Sequence, residues 1–269
     1  MGRDGAGSRR ARWDGWLVAL ALIGIIGMLL APPRGLLDKA DYVAYAVCHR
    51  IPERTFIFAG RPLPLCARCS GTYLGALAGL IVLILRGRGR AADLPDRRYL
   101  AVFAGFFLLW AVDGLNSYLT LFPGFPHLYE PHHILRLATG TLEGLAIAAI
   151  LLPILNLSLW ARPVNTPSVA SWRDLAWMVV GGAVVVGLVS SEWAPLLYPL
   201  ALTSGATIVA LVGSVNVMFG LVLLRREGRA QHWRETIVPM AIGVVLALAE
   251  LAAIAAARAA LTARLELPF

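Results

Sequence analysis

Charged side chains are scarce in this chain: Asp, Glu, Lys and Arg make up 15% of its 269 residues, whereas 58% are hydrophobic. This composition excludes an ordinary soluble domain. No basic run is interleaved with aromatic residues, as base stacking requires, so the net charge of +8 does not indicate a nucleic-acid partner. Broken hydrophobic segments in matching halves are also lacking, and their absence argues against a transporter.

The hydrophobic residues form long blocks, which is typical of membrane helices. We predict an all-α integral membrane protein with about seven transmembrane helices. Residues 1–37 are predicted to form a tail and the first helix, 38–156 a membrane core with all three cysteines, and 157–269 an additional three-helix part. The predicted spans are 15–31, 71–86, 99–120, 136–156, 175–191, 202–224 and 237–257.

The distribution of Lys and Arg predicts the orientation. Fifteen of the 24 lie in the N-terminal tail and in the linkers after the second, fourth and sixth spans, and nine lie elsewhere. Because positively charged loops stay in the cytoplasm, the N-terminus is predicted inside and the C-terminus outside. A retained first helix is favoured over a cleaved signal peptide, since no small-x-small cleavage site precedes Pro32.

Cysteine is rare, and all three cysteines lie between the first two spans. Cys48 precedes His49, and Cys66 and Cys69 form a CxxC pair at the start of the second span. Three thiolates and an imidazole are a ligand set of tetrahedral zinc sites. We therefore predict an extracytoplasmic zinc site made by these four side chains.

Other states of this cluster stay open at the level of sequence. In an oxidising compartment Cys66 and Cys69 could form a disulfide, or Cys48 could pair with either of them, which leaves one free thiol. Cys69 also has the surroundings of a reactive thiolate, beside Arg68 at a helix N-terminus. Adjacent residues seldom bind one ion together, so the fourth ligand need not be His49. The alternates, all in the loop between the third and fourth spans, are His127, His132 and His133.

Polar residues inside two spans form a second constellation. Asp113, Asn116 and Ser117 share one face of the third span, at positions i, i+3 and i+4. Ionisable residues inside a membrane are costly and are candidates for function. The structural alternative is an ion pair of an arginine with a carboxylate that only joins the helices. The residues that share a face at the start of the fourth span are Arg136, Thr139 and Glu143.

We predict that these two faces line a polar pocket in the outer leaflet. The catalytic candidates are Asp113, Arg136 and Glu143, and Arg136 is the arginine that could pair with either carboxylate. The other residues predicted for this pocket are Arg50, Arg54, Asn116 and Thr139.

Glycines recur every four residues in the second span, at Gly71, Gly75 and Gly79. The same spacing returns in the fourth span at Gly140 and Gly144. Small-residue ridges of this kind let membrane helices approach closely, so the pattern predicts close packing of the second and fourth spans.

Two cysteine-containing segments, CHRIPERTF at 48–56 and LCARCSGTYLG at 65–75, resemble motifs of a bacterial and archaeal membrane-protein family, the domain of unknown function 2085. VDGLNSY at 112–118 and LRLATGTLEG at 135–144 are similar to its later motifs. The resemblance covers about 38–150. It implies that the four motifs act as one unit in the plasma membrane of a prokaryote, and it names no reaction.

These observations predict a binding or scaffold protein with a zinc site above a polar pocket. Its expected partners are membrane lipids and either a membrane protein or a second copy of the chain. One alternative is a membrane-embedded metal-dependent enzyme, with Asp113 or Glu143 as a base acting on a lipid-like substrate. The other is a CxxC thiol–disulfide redox protein.

Overall fold

The computed structural model describes residues 34–120, 122 and 124–265, together with a few positions between 16 and 30. The first predicted span, 15–31, therefore lies mostly outside the described residues. The described helices are α1 (Leu36–Val47), α2 (Ala67–Leu85), α3 (Arg97–Leu119), α4 (His133–Leu159), α5 (Trp172–Ser190), α6 (Leu197–Leu223) and α7 (Trp233–Leu265). The described strands are β1 (Ile57–Phe58), β2 (Arg61–Pro62), β3 (Ala91–Asp93) and β4 (Val164–Pro167).

Six of these helices, α2 to α7, are long and apolar enough to cross a membrane. They coincide with the second to seventh predicted spans. The strands are two to four residues long and pair only as β1 with β2 and β3 with β4 in the described part of the chain. The predicted fold class, an all-α multi-pass membrane protein, is confirmed, whereas the total of seven spans and their orientation stay predictions.

The centre of the bundle is the contact between α2 and α4, which run parallel. A β-carbon added at Gly75 would lie 2.5 Å from the carbonyl oxygen of Thr141, and one added at Gly144 would overlap the backbone of Thr72. The predicted close packing of these two glycine ridges is confirmed. The other glycines in tight contact with the opposite helix are Gly71, Gly79 and Gly140.

The connection before α2 contains α1. The carboxylate of Asp38 in the first turn of α1 stabilises this helix, because its N-terminus carries a partial positive charge. The helix ends at Cys48, and Ala40 on its buried face packs near Gly205 of α6. The chain then passes through a β1–β2 hairpin, with positive φ at Ala59 and Gly60, before it reaches Cys66. We call the end of the bundle that holds α1, this hairpin and the N-termini of α2 and α4 the cysteine end.

Candidate metal centre and adjoining polar cluster

The three cysteines meet at the junction of α1 and α2. Cys48 ends α1, Cys66 is the N-cap of α2, and Cys69 lies in the first turn of α2. Their sulfur atoms all lie within 4.8 Å of one another, and all three are free thiols. The CxxC spacing brings two sulfurs to one helical turn, and the packing of α1 supplies the third.

Hydrogen bonds around the sulfurs favour negative charge. The backbone N–H groups of Arg50 and Cys66 each donate to Cys48 Sγ at 3.4 Å. Hydrogen bonds with the Cys48 and Cys69 thiols lower the pKa of Cys66, and the bond to Cys66 raises the pKa of Cys48. Metals bind thiolates, so an ion bound by all three sulfurs would release the protons that these thiols carry.

No described histidine places a ring nitrogen within this group of possible metal ligands. The side chain of His49 is exposed, because the side chains of adjacent residues diverge and Cys48 points inward. Among the described residues the cluster therefore offers three ligands rather than the predicted four. The other histidines bond elsewhere: His127 to Glu130, His132 to the N–H of Ile134, and His133 to the carbonyl of Glu53.

A polar cluster lies beside the cysteines, between α2, α3 and α4. Asp113 on α3 is 1% exposed and accepts a hydrogen bond from Arg68 Nε at 3.0 Å, and a second nitrogen of Arg68 contacts the same oxygen. The Tyr129 hydroxyl donates to the other carboxylate oxygen at 2.8 Å. The pairing of Arg136 with Asp113 or Glu143, the structural alternative above, is not formed. Arg68 takes that position because it projects from the first turn of α2 onto α3.

Ser117, one turn after Asp113, is the meeting point of three arginines. Its hydroxyl accepts from Arg68 at 2.9 Å and from Arg136 Nε at 3.2 Å, and its carbonyl accepts from Arg54 at 3.1 Å. Neither Arg54 nor Arg136 forms an ion pair with a described carboxylate. The cluster therefore carries more guanidinium groups than carboxylates.

Asn116 holds the loop between α3 and α4 against the cluster. Its side-chain oxygen accepts from the N–H of Leu128 at 2.6 Å, and its amide donates to the carbonyl of Tyr129 at 2.8 Å. Burial, and then the hydrogen bond to Asp113, raises the pKa of Tyr129 to about 12. The phenol consequently stays a hydrogen-bond donor to Asp113 at neutral pH.

Of the remaining residues predicted for the pocket, Thr139 and Glu143 lie in the polar cluster and Arg50 does not. Thr139 places its hydroxyl 3.4 Å from Asp113, and the buried Glu143 accepts the Thr72 hydroxyl at 2.7 Å. Arg50 does not join the cluster, since its guanidinium turns back to α1 and pairs with Asp41 at 2.7 Å. The structure therefore does not bring Arg50 together with the other residues predicted for this pocket.

Arg258 on α7 contacts the cysteine motif and was missed by the sequence analysis. It donates to the carbonyl oxygens of Tyr45 at 2.7 Å and Cys48 at 2.5 Å, and stacks 4.3 Å from the ring centre of Tyr45. It also donates to the carbonyl of His49. An arginine at the end of an alanine-rich apolar span was the available signal.

Replacing Arg258 with Gln is expected to lower the free energy of unfolding by about 1.5–3 kcal/mol, since hydrogen bonds from a charged donor to the end of α1 are lost. Cys48 should then react faster with a maleimide. Denaturant unfolding in detergent and timed labelling with mass spectrometry measure the two effects. Arg264→Gln, in the exposed last turn of α7, is the matched control. Equal effects of the two substitutions would contradict a specific role of Arg258.

Comparison with known proteins identifies the family to which this chain is similar. The model of a family described as "Predicted membrane protein (DUF2085)" matches residues 48–150, and the match ends inside α4. An uncharacterised protein of Methanocaldococcus jannaschii is 31% identical over 114 residues, which are 42% of this chain and 67% of the relative. An uncharacterised protein of Methanothermobacter thermautotrophicus is 33% identical over 104 residues, or 39% of this chain and 83% of the relative. No solved structure matches the chain significantly. The match to the family model and the similarity to these two relatives show that the chain belongs to the membrane-protein family DUF2085.

Proposed function

We propose that this protein is a membrane-embedded binding or scaffold protein in which Cys48, Cys66 and Cys69 hold a zinc ion on the extracytoplasmic side. The observation that carries the proposal is the convergence of three sulfur atoms within 4.8 Å, from two segments that are 18 residues apart. The ion would join the end of α1 to the start of α2. This link would hold the intervening hairpin over the polar cluster.

The chemistry of the donors supports zinc. Thiolates are soft ligands, and tetrahedral zinc with Zn–S bonds of about 2.3 Å sets its sulfurs about 3.8 Å apart. The observed group, in which all three sulfur atoms lie within 4.8 Å of one another, is compatible with that separation. The two N–H groups that point to Cys48 Sγ would stabilise its negative charge in the bound state.

A metal-dependent enzyme is the second candidate, and the three-ligand group favours it. Structural zinc sites use four protein ligands, whereas catalytic sites keep one position open. Zinc would supply Lewis acidity there. Of the two proposed bases, Glu143 fits better, because Thr72 is its one hydrogen-bond partner among the described residues, whereas Asp113 is held by Arg68 and Tyr129. A lipid-like molecule is the expected substrate.

The proposal is tested by metal content, measured by mass spectrometry on protein purified in detergent without chelators. We expect about one zinc per chain in the unsubstituted protein and almost none in Cys69→Ser, since two thiolates do not retain the ion. His49→Ala is the matched control and should keep its zinc, because the side chain lies outside the cluster.

Two results would count against the zinc site. Absence of metal together with thiols that label only after reduction would support the thiol–disulfide redox protein instead. Equal zinc content in Cys69→Ser and the unsubstituted protein would show that the ion binds elsewhere. Loss of zinc in His49→Ala would restore His49 as the fourth ligand and favour a closed, structural site.

A further inference from the structure

The guanidinium group of Arg136 is buried and forms no ion pair with a described carboxylate. The residue is 6% exposed, and its one hydrogen bond to a described residue is that from Nε to Ser117. The two terminal nitrogens bond to no described residue, yet both keep some accessible surface. Buried guanidinium groups are normally paired, because an unpaired buried charge is costly. Arg136 therefore has donors available for a ligand.

A second guanidinium group approaches the same point. Arg54 donates one hydrogen bond to the carbonyl of Ser117 at 3.1 Å, while Arg136 donates to the hydroxyl of the same residue at 3.2 Å. Guanidinium groups that meet at one residue repel each other, and an anion between them would relieve this repulsion. The carbonyl end of α3 accounts for the bond made by Arg54, since cations stabilise helix C-termini. Within the described residues, the carbonyl end of α3 provides no hydrogen-bond acceptor for the two terminal nitrogens of Arg136.

Both described carboxylates of this cluster are already engaged. Asp113 accepts from Arg68 and Tyr129, and Glu143 accepts from Thr72, so neither forms an ion pair with Arg54 or Arg136. The positive ends of α2 and α4 also lie here, since both helices begin at the cysteine end. These groups make the cysteine end electropositive beside Ser117.

Ser117 itself has a donor to offer. Its hydroxyl oxygen accepts from two arginines, which occupies both lone pairs. No described atom accepts its hydroxyl hydrogen, although the side chain is 1% exposed. An oxygen atom of an anionic ligand would complete this bond.

From this geometry we infer that Arg136, Arg54 and Ser117 form a binding site for a phosphate group. A phosphate offers several oxygens and up to two charges, which suits guanidinium groups that arrive from α4 and from the loop after α1. The group is either the headgroup of a phospholipid or a free phosphate or soluble phosphomonoester. This inference rests on the proposed function and gives the ligand class for its binding site.

The test uses the full chain in detergent and inorganic phosphate as the first probe, with binding measured by isothermal titration calorimetry. We expect phosphate to bind, with about tenfold or greater weakening in Arg136→Gln and in Arg54→Gln. Arg136→Lys, which keeps the charge and loses the fork, should bind with intermediate affinity. Arg61→Gln removes a positive charge from the same loop, but Arg61 pairs with Asp38 and Asp41, so phosphate affinity should be unchanged.

A second arm identifies the source of the phosphate group. Nanodiscs with phosphatidic acid are compared with nanodiscs of phosphatidylcholine alone, and the thermal stability of the protein is measured in each. Stabilisation by phosphatidic acid that is lost in Arg136→Gln, without binding of free phosphate, indicates a lipid headgroup. Binding of free phosphate without this lipid effect indicates a soluble ligand. Both outcomes support the site.

Two outcomes would overturn the inference: unchanged affinity in both Gln variants, or no response of the unsubstituted protein to either probe. Arg54→Gln keeps the test valid if Arg136→Gln fails to fold, because Arg54 is only half-buried and lies in a loop. Zinc content is measured on the same samples. If the unsubstituted protein contains zinc but responds to neither phosphate probe, only the phosphate site is rejected. If it binds phosphate but contains no zinc, only the metal centre is rejected.

Discussion

Replacing Asp113 with Ala is expected to lower the free energy of unfolding by about 3–5 kcal/mol, the largest loss among single polar substitutions at the cysteine end. The carboxylate is buried between helices and accepts hydrogen bonds from Arg68 and Tyr129. Removing it leaves the guanidinium of Arg68 next to Arg136 without its carboxylate partner. Denaturant unfolding in detergent, followed by tryptophan fluorescence, measures the change.

Asp38→Ala is the matched control for this prediction. Asp38 also pairs with an arginine, Arg61, at 2.8 Å, but both side chains are substantially exposed. Exposed ion pairs contribute about 0–1 kcal/mol, so the control should lose little stability. A loss in Asp113→Ala no larger than that in Asp38→Ala would contradict a buried ion pair. If the pair is correct, combining Asp113→Ala with Arg68→Met should recover part of the loss, since no buried charge is then left unpaired.

The second large effect is expected at the contact of α2 with α4. In Gly144→Ala, the added methyl group would overlap the backbone of Thr72, and backbone cannot move aside as a flexible side chain can. We expect the free energy of unfolding to fall by about 3 kcal/mol or more, as in strongly overpacked cores. Thermal unfolding of the purified protein in detergent, with a lower melting temperature, is the readout.

Gly220→Ala provides the comparison within the same membrane domain. Gly220 lies on α6, and a methyl group added there meets nothing within 4 Å. Because alanine has the higher helix propensity, this substitution should be neutral or slightly stabilising. Similar melting temperatures for the two variants would mean that α2 and α4 do not approach as closely as the glycine ridges indicate.

The glycine contact also bears on the site. Arg68 and Thr72 on α2 lie against Gly140 and Gly144 on α4. Any separation of the two helices therefore moves Arg68 away from Asp113 and Thr72 away from Glu143. For this reason we expect Gly144→Ala to weaken phosphate binding as well as stability, whereas Gly220→Ala should leave phosphate binding unchanged.

Much of the candidate site could be predicted from local sequence. The CxxC spacing indicated that Cys66 and Cys69 share a turn, and the spacing of Asp113 and Ser117 indicated one helical face. The partners could not be predicted in this way. The structure does not bring His49, adjacent to Cys48, into the group of sulfur atoms, because neighbouring side chains diverge. The partner of Asp113 is Arg68 rather than Arg136, the alternative considered from the sequence.

An all-α membrane protein follows directly from the amino-acid sequence, because blocks of apolar residues long enough to span a bilayer are a property of composition and length. The glycine ridges also follow from the sequence, through their four-residue period. Which charged residues meet depends on the tertiary structure. Arg68 reaches Asp113 across 45 residues and Arg258 reaches Cys48 across 210. Such pairings depend on how helices are rotated and placed against each other, and periodicity within one helix does not say which charged residue of another helix it will meet.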